Sequence, residues 1–480
     1  MWNNLSEAGE PPRASGYALW VALLLFVVIV LSNLLMVRPR LTDRFDVWST
    51  RVMQAEYTAR MLYGNFLPVG AARRTDWDDA LKLLTTKDAP LGALVRAVVL
   101  LDDQAGIMGQ KDAQQRIDQL LQRMPHAPTQ FSPQEKQAIL RWCLTVYGER
   151  RRPSAEEKER FRRTIERANL GWMRLLALKH LEFLAGDTES ARRWDVQARE
   201  EANRLQYTLV VVFAIVALLM LAGVGTWLAY AVWKSSTRSN QPALPLLSPR
   251  FADAVLWALV AYFAATYLGG WVAGAFAAAL PASTPLLVVL VLLVQVATGG
   301  VALWWLYRQM KQNGIEWRDL GLTGKRLSEQ IAWGTAAYVA MIPVLLITVV
   351  LVQVLLPTIP SPAHPIAGVA SSDNPRWVVV LLFLVAAVFA PLFEEVFFRG
   401  VLLNAVWALT GNRWIGIIAS ALVFSVLHPQ MYLGWIAVFV IGLMLGALFV
   451  ERRSLLPCIW MHALNNGLAL FAAHLLRMTG

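Results

Sequence analysis

The feature that most constrains this chain is a series of apolar runs, each long enough or nearly long enough to cross a bilayer. They fall at about 17–37, 207–233, 251–279, 286–307, 329–356, 377–407, 414–428, 433–450 and 457–476. Hydrocarbon offers the backbone no hydrogen-bond partner, so a continuous apolar run must satisfy its own N–H and C=O groups as a helix. Nine spans is the expected count. The seventh and eighth are short for a bilayer of about 30 Å, which predicts a tilted, buried or partly re-entrant helix there. The first run lacks a small-residue cleavage pattern and reads as a retained signal anchor.

Composition agrees: 56% of the 480 residues are hydrophobic and 16% are charged, as in a polytopic membrane protein. The net charge of +11 does not indicate nucleic acid, because arginines beside spans serve orientation and contact lipid headgroups. Cys143 and Cys458 lie in regions expected at different depths, so no disulfide framework is expected. With no C-x-x-C and no Cys/His spacing, a structural zinc site has no support.

Most of the charge is gathered in residues 38–206, which carry 29 Lys and Arg against 23 Asp and Glu. The mixed signs fit solvated helix faces. Leu170 to Ala198 reads as helix, Gly-Asp turn, helix, resembling one tetratricopeptide-like hairpin, and a weaker hairpin is expected from Ala89 to Met124. No clean repeat period emerges. A polar, Pro-containing linker, 234–250, makes a natural boundary. The expected architecture is all-α: a polytopic transmembrane bundle of about nine spans with an inserted soluble helical-hairpin domain. Its parts are 1–37, a tail and anchor span; 38–206, the soluble domain; 207–250, the second span and linker; and 251–480, the membrane domain. Loop 308–326 carries five Lys or Arg and loop 451–456 two, whereas 280–285 and 429–432 carry none. That asymmetry predicts cytoplasmic basic loops, a cytoplasmic N-terminus and residues 38–206 outside. Arg38, Arg40 and Arg44 after the first span point the other way, but long domains translocate largely regardless of charge.

Within the apolar series one stretch breaks the pattern. Ala390 to Gly400, APLFEEVFFRG, puts Glu394, Glu395 and Arg399 at or near bilayer depth, where an unpaired charge costs at least about 2.5 kcal/mol. Glu395 and Arg399 are i and i+4 on a helix and face one another. Glu394 is turned about 100° away and is free to face something else. Downstream, His428 closes the seventh run, and His462 and Asn466 share one face of the ninth. His126, His180, His364 and His474 read as surface or capping residues.

A carboxylate, two imidazoles and an amide suit water-mediated peptide hydrolysis. Glu394 takes a proton from water, His428 holds the water, and His462 and Asn466 offer donors to the oxyanion. The bland alternative is a structural ion pair with a second acid at the membrane edge. A proton-relaying transporter is a further one, although no inverted repeat is visible. Ser425 lies one turn before His428, but no acid is placed to orient a serine mechanism.

These residues resemble a known family. Glu394-Glu395-x-x-x-Arg399, Phe424-x-x-x-His428 and His462-x-x-x-Asn466, on successive membrane helices, are similar to the three motifs of the CPBP family, which includes type II CAAX prenyl endopeptidases and Abi or bacteriocin-processing proteins. The resemblance covers about 251–480. It implies a glutamate-dependent intramembrane endopeptidase in which Glu394 and His428 activate water and His462 and Asn466 form the oxyanion site, with Glu395 and Arg399 supporting. The implied setting is a multi-pass protein of a bacterial inner membrane acting on a peptide or lipid-modified protein. No cofactor is expected. The family has also been labelled metalloprotease, and Glu394, His428 and His462 are the zinc ligands on that reading. Residues 38–206 lie outside the resemblance and are expected to recruit substrate or a protein partner, or to act as a spacer. A non-catalytic scaffold or immunity protein working through them is the competing function.

Overall fold

The structure is a computed structural model and describes residues 17–36, 44–65, 74–237, 245–280, 285–324, 326–355, 375–428 and 433–479. His364, the loop 429–432 and the residues Arg38, Arg40 and Lys325 of the charge pattern lie outside them. All regular structure among the described residues is helical. In chain order the main helices are α1 (Tyr17–Met36), α2 (Arg44–Tyr63), α3 (Arg74–Leu84), α4 (Leu91–Asp103), α5 (Gln110–Arg123), α6 (Pro133–Cys143), α7 (Ala155–Arg167) and α8 (Met173–Ala185). Then come α9 (Thr188–Ser236), α10 (Ala252–Ala279), α11 (Pro285–Asn313) and α12 (Leu327–Leu355). The last four are α13 (Arg376–Thr410), α14 (Arg413–Leu427), α15 (Leu433–Arg452) and α16 (Leu456–Thr479).

Each of the nine apolar runs is helical. Among the described residues α9 to α13 and α15 are long and apolar enough to cross a bilayer, while Tyr17–Val30 and α14 are shorter apolar helices. The chain is therefore a helical membrane bundle, and nine is an approximate span count. The 15 residues of α14 reach only about 22 Å, less than the roughly 30 Å of a bilayer's hydrocarbon core.

Two compact units divide the chain, 39–215 and 1–38 with 216–480. In the first, Leu94, Val98, Trp142, Tyr147, Phe161 and Leu176 belong to one continuous core. Local signals set its helix ends. Ser132 with Glu135 and Ser154 with Glu157 form reciprocal capping boxes at the starts of α6 and α7. Gly186, at φ +89°, closes α8, and the Asp187 carboxylate accepts from the Ser190 N–H to open α9. The helix, Gly-Asp turn, helix reading of 170–198 matches this geometry. The second arm continues for 49 residues through position 206 without a break, so no helix end marks the change from charged to apolar sequence.

In the second unit, α10 packs against α11, α12 against α16, and α14 against α15. Its core includes Phe397, Phe398, Phe424, Leu445, Phe449 and Met461. A Cβ on Gly442 would lie 2.9 Å from Ala421 Cα, and one on Gly446 would lie 3.1 Å from Ile417. The two glycines let α14 and α15 approach closely, and the order of the contacts makes the pair antiparallel. Both cysteines are free and buried.

Candidate active site

Helix α13 is not a regular α-helix. It widens into π-type turns at Val385–Phe389 and Val396–Leu403, on either side of the short α-helical piece that holds Glu394 and Glu395. Pro391 explains the first. Its ring crowds the carbonyl four residues back and it has no N–H to donate. The Ala390 N–H reaches five residues back to the Val385 carbonyl. In that register the residue that would donate to the next carbonyl, Ala386 O, is Pro391, which has no N–H. Asn466 on α16 supplies one, with Nδ2 donating to Ala386 O at 2.9 Å. Near the second widened turn, the Ser420 hydroxyl donates to Phe398 O at 2.8 Å. A helix opened by proline and by wide turns is thus bound to its neighbours through side-chain donors.

The expected Glu395–Arg399 pair is present and fully buried, with Nη1 donating to Oε1 at 2.8 Å. Arg399 also donates from Nη2 to the Gly442 carbonyl at 3.3 Å and lies over the Phe424 ring, 4.5 Å from its centroid. Sequence reasoning missed the second partner of Glu395: His462 Nδ1 is 2.8 Å from the same Oε1. One carboxylate therefore binds a guanidinium on its own helix and an imidazole on another. The two residues are 67 positions apart, and the only signal was that each needed a partner at bilayer depth.

Glu394 points the other way, as its position on the helix required. Its Oε2 is 3.7 Å from His462 Nε2 and 4.0 Å from His428 Nε2. That oxygen is buried and, among the described residues, accepts no hydrogen bond from a protein donor. Three of the four expected catalytic side chains are thus gathered from α13, the end of α14 and α16. The fourth, Asn466, lies one turn beyond His462 with one amide N–H on Ala386 and its Oδ1 accepting from Asn465 at 3.2 Å. His428 Nδ1 donates to Phe424 O at 2.7 Å, which leaves Nε2 as the lone-pair nitrogen facing Glu394 in the neutral ring. The Phe424 ring meets His428 and His462 edge-on, at 4.4 and 5.7 Å between centroids. This aromatic platform was legible only as a motif letter.

The site has a wetter and a drier half. Glu395 and Arg399 side chains are wholly buried and His462 is 3% exposed, whereas Glu394 and His428 keep 17% and 23%. Among the described residues no group of three or more His, Cys, Asp or Glu side chains is arranged to hold a metal ion. Donors bound to one tetrahedral zinc lie roughly 3.4 Å apart. The 3.7 and 4.0 Å separations here exceed that, so the residues as arranged do not fit the ion.

Elsewhere, His180 is not the surface residue that sequence suggested. It is buried in the helical domain between Tyr147 Oη at 3.3 Å and Asp103 at 3.1 Å.

No curated protein and no solved structure matches the chain. Residues 375–468 match the family described as type II CAAX prenyl endopeptidase Rce1-like. That span contains all three motifs and every side chain of the site just described. The part of the chain that gathers Glu394, His428 and His462 is a type II CAAX prenyl endopeptidase Rce1-like domain, a domain of a membrane protease family, as the spacing of its motifs implied.

Proposed function

We propose that the chain is an intramembrane endopeptidase that hydrolyses a peptide bond in a membrane-associated or lipid-modified protein or peptide, using a water activated by Glu394. The observation that carries this reading is the approach of two imidazole Nε2 atoms, from two other helices, to one buried Glu394 oxygen. Gaps of 3.7 and 4.0 Å are too long for direct hydrogen bonds and are spanned by one water donating to Oε2 and to His428 Nε2. The water oxygen attacks the scissile carbonyl carbon as Glu394 takes its proton. The proton then passes to the leaving amine as the C–N bond breaks. His462, held through Nδ1 by Glu395, presents Nε2 to the oxyanion, and the second Asn466 amide hydrogen adds a donor there. Glu395 and Arg399 orient His462 and supply the compensating charge. The reaction so written needs no cofactor.

The basic loops support a cytoplasmic position for their end of the bundle and an outer, periplasmic position for residues 38–206 in a bacterial inner membrane. A comparison of membrane peptides in cells producing wild type or Glu394→Gln, with and without a chelator, tests the mechanism. The expected outcome is loss of cleavage in the variant at unchanged membrane insertion, and no effect of the chelator. Unchanged cleavage by Glu394→Gln removes the proposal.

A second reading, a scaffold binding partners through 38–206, is favoured by a groove of about 1340 Å³ in that domain, lined in part by Asp103, Lys179, His180 and Phe183. On that reading deletion of 38–206 abolishes the phenotype and Glu394→Gln does not.

A further inference from the structure

His428 is held partly from outside the three motifs. It caps the C-terminal end of α14, and Pro429 follows it in the chain. A residue before proline is pushed out of the helical region by the ring that follows. His428 is accordingly extended, at φ −76° and ψ 140°. Its N–H bonds three residues back, to Ser425 O at 3.1 Å, where a continuing helix would bond four back to Phe424 O. The Phe424 carbonyl is thus one of the acceptors that a helix end leaves over. The His428 ring itself satisfies it, with Nδ1 donating at 2.7 Å. That bond places the proton of the neutral ring on Nδ1 and the lone pair on Nε2, the nitrogen facing Glu394. The backbone conformation of His428 therefore decides both where its ring stands and which nitrogen is the acceptor.

One further side chain acts on that conformation. The His428 carbonyl lies beyond the last turn of α14 and accepts from the Trp435 indole, Nε1 donating at 3.0 Å. Trp435 stands in the first turn of α15, a helix that carries no motif residue. Its place there follows from how α14 and α15 pack. Seven residues back from His428 is Ala421, and seven on from Trp435 is Gly442; eleven in each direction gives Ile417 and Gly446. Those are the two pairs at which a glycine Cβ would meet the facing helix at 2.9 and 3.1 Å. A single antiparallel register thus carries both close glycine contacts and the bond to the His428 carbonyl. The packing that brings the helices together also delivers the indole N–H to the peptide group after His428, and fixing that peptide plane fixes ψ of His428.

We propose that Trp435 is a positioning residue of the reaction: by holding the His428 carbonyl it keeps Nδ1 on Phe424 O and aims Nε2 at the water beside Glu394. This rests on the endopeptidase reading above and adds to it a residue that touches neither the water nor the peptide. Indole is suited to the task because its N–H is a donor only, so it binds the carbonyl and cannot compete as an acceptor for the imidazole proton. Without that bond the peptide plane turns, the ring leaves Phe424 O and the proton distributes over both nitrogens. A displacement of about 1 Å in a catalytic group costs on the order of 100-fold in rate.

Trp435→Phe in the full-length chain keeps an aromatic ring and removes the N–H. The peptide that membranes with wild type cleave, and membranes with Glu394→Gln do not, is synthesised and given to the purified chains in phospholipid vesicles. The expected result for Trp435→Phe is a kcat lower by about 10- to 100-fold with KM within about twofold of wild type. Isotope labelling of the histidine nitrogens, read by NMR with His428→Gln to assign the signal, reports the tautomer without any proteolysis. The wild-type His428 ring is expected to carry its proton on Nδ1, and the Trp435→Phe ring to show a mixture of Nδ1–H and Nε2–H. A kcat within about twofold of wild type, a loss confined to KM, or an unchanged tautomer in the variant overturns the proposal. Cleavage surviving Glu394→Gln is a different failure: it removes the enzyme reading, while the tautomer still tests the hold of Trp435 on His428.

Discussion

Arg399→Leu isolates the buried charge arrangement on which the site stands. The guanidinium is fully buried, donates to Glu395 at 2.8 Å and to the Gly442 carbonyl at 3.3 Å, and covers the Phe424 ring. Leucine fills much of the space but leaves the Glu395 carboxylate with His462 as its one side-chain partner. Removing one member of a buried ion pair costs about 3–5 kcal/mol, chiefly because the other charge stays desolvated. The lost contact over Phe424 adds about 0.5–2 kcal/mol, partly offset by the apolar leucine. The expected loss for the single variant is therefore about 3–6 kcal/mol. Glu395→Gln in the same background removes the stranded charge and keeps an amide oxygen for His462 Nδ1. The double variant is expected to recover about 2 kcal/mol or more, an interaction far outside the additivity of independent sites. Denaturant unfolding of the detergent-solubilised chain, measured for wild type, both single variants and the double, supplies the cycle. A single variant within about 1 kcal/mol of wild type, or additive costs in the double, refutes the view that this pair is mutually compensating at depth.

Two further outcomes follow from the same contacts. Asn466→Ala strands the Ala386 carbonyl and is expected to cost about 1–3 kcal/mol in thermal unfolding, part of which Pro391→Ala recovers by restoring a backbone N–H for that carbonyl. In the helical domain, burial pushes the Asp103 carboxyl up, but the His180 hydrogen bond and the His180 and Lys179 charges outweigh it and hold it below its ordinary 3.8. Asp195, against burial, is held down to about 2 by hydrogen bonds from Tyr63 and Arg199 and by Lys179. A carboxyl depressed on folding stabilises above its unfolded value and loses that contribution as pH falls toward its folded one. Hydrogen exchange in peptides from α4 and α8 is therefore expected to accelerate below about pH 3.8, and Asp103→Asn to weaken protection at neutral pH while flattening the acid limb.

The helices were legible in the sequence because lipid leaves an apolar run no other way to satisfy its backbone, and each of the nine runs is helical. Their boundaries were less so. The change from charged to apolar sequence near 206 marks a change of solvent, and with no proline between Thr188 and Ser236 the helix has no reason to stop. The site divides the same way. Glu395 with Arg399, and Glu394 turned from both, depend only on helical spacing and were readable from one segment. The bond from His462 to Glu395 depends on two helices brought together by packing, which no local spacing encodes. His180 was misjudged for the same reason, since its partners Tyr147 and Asp103 are 33 and 77 residues away. Pro391 lies between these cases. Its missing N–H is plain in the sequence, but its effect, a wide turn and a stranded carbonyl, acquires meaning only when Asn466 arrives from another helix to bind it. The residue that deforms α13 thus also creates the acceptor that fastens α13 to α16, and the two helices that supply Glu394 and His462 are held in register by a defect in one of them.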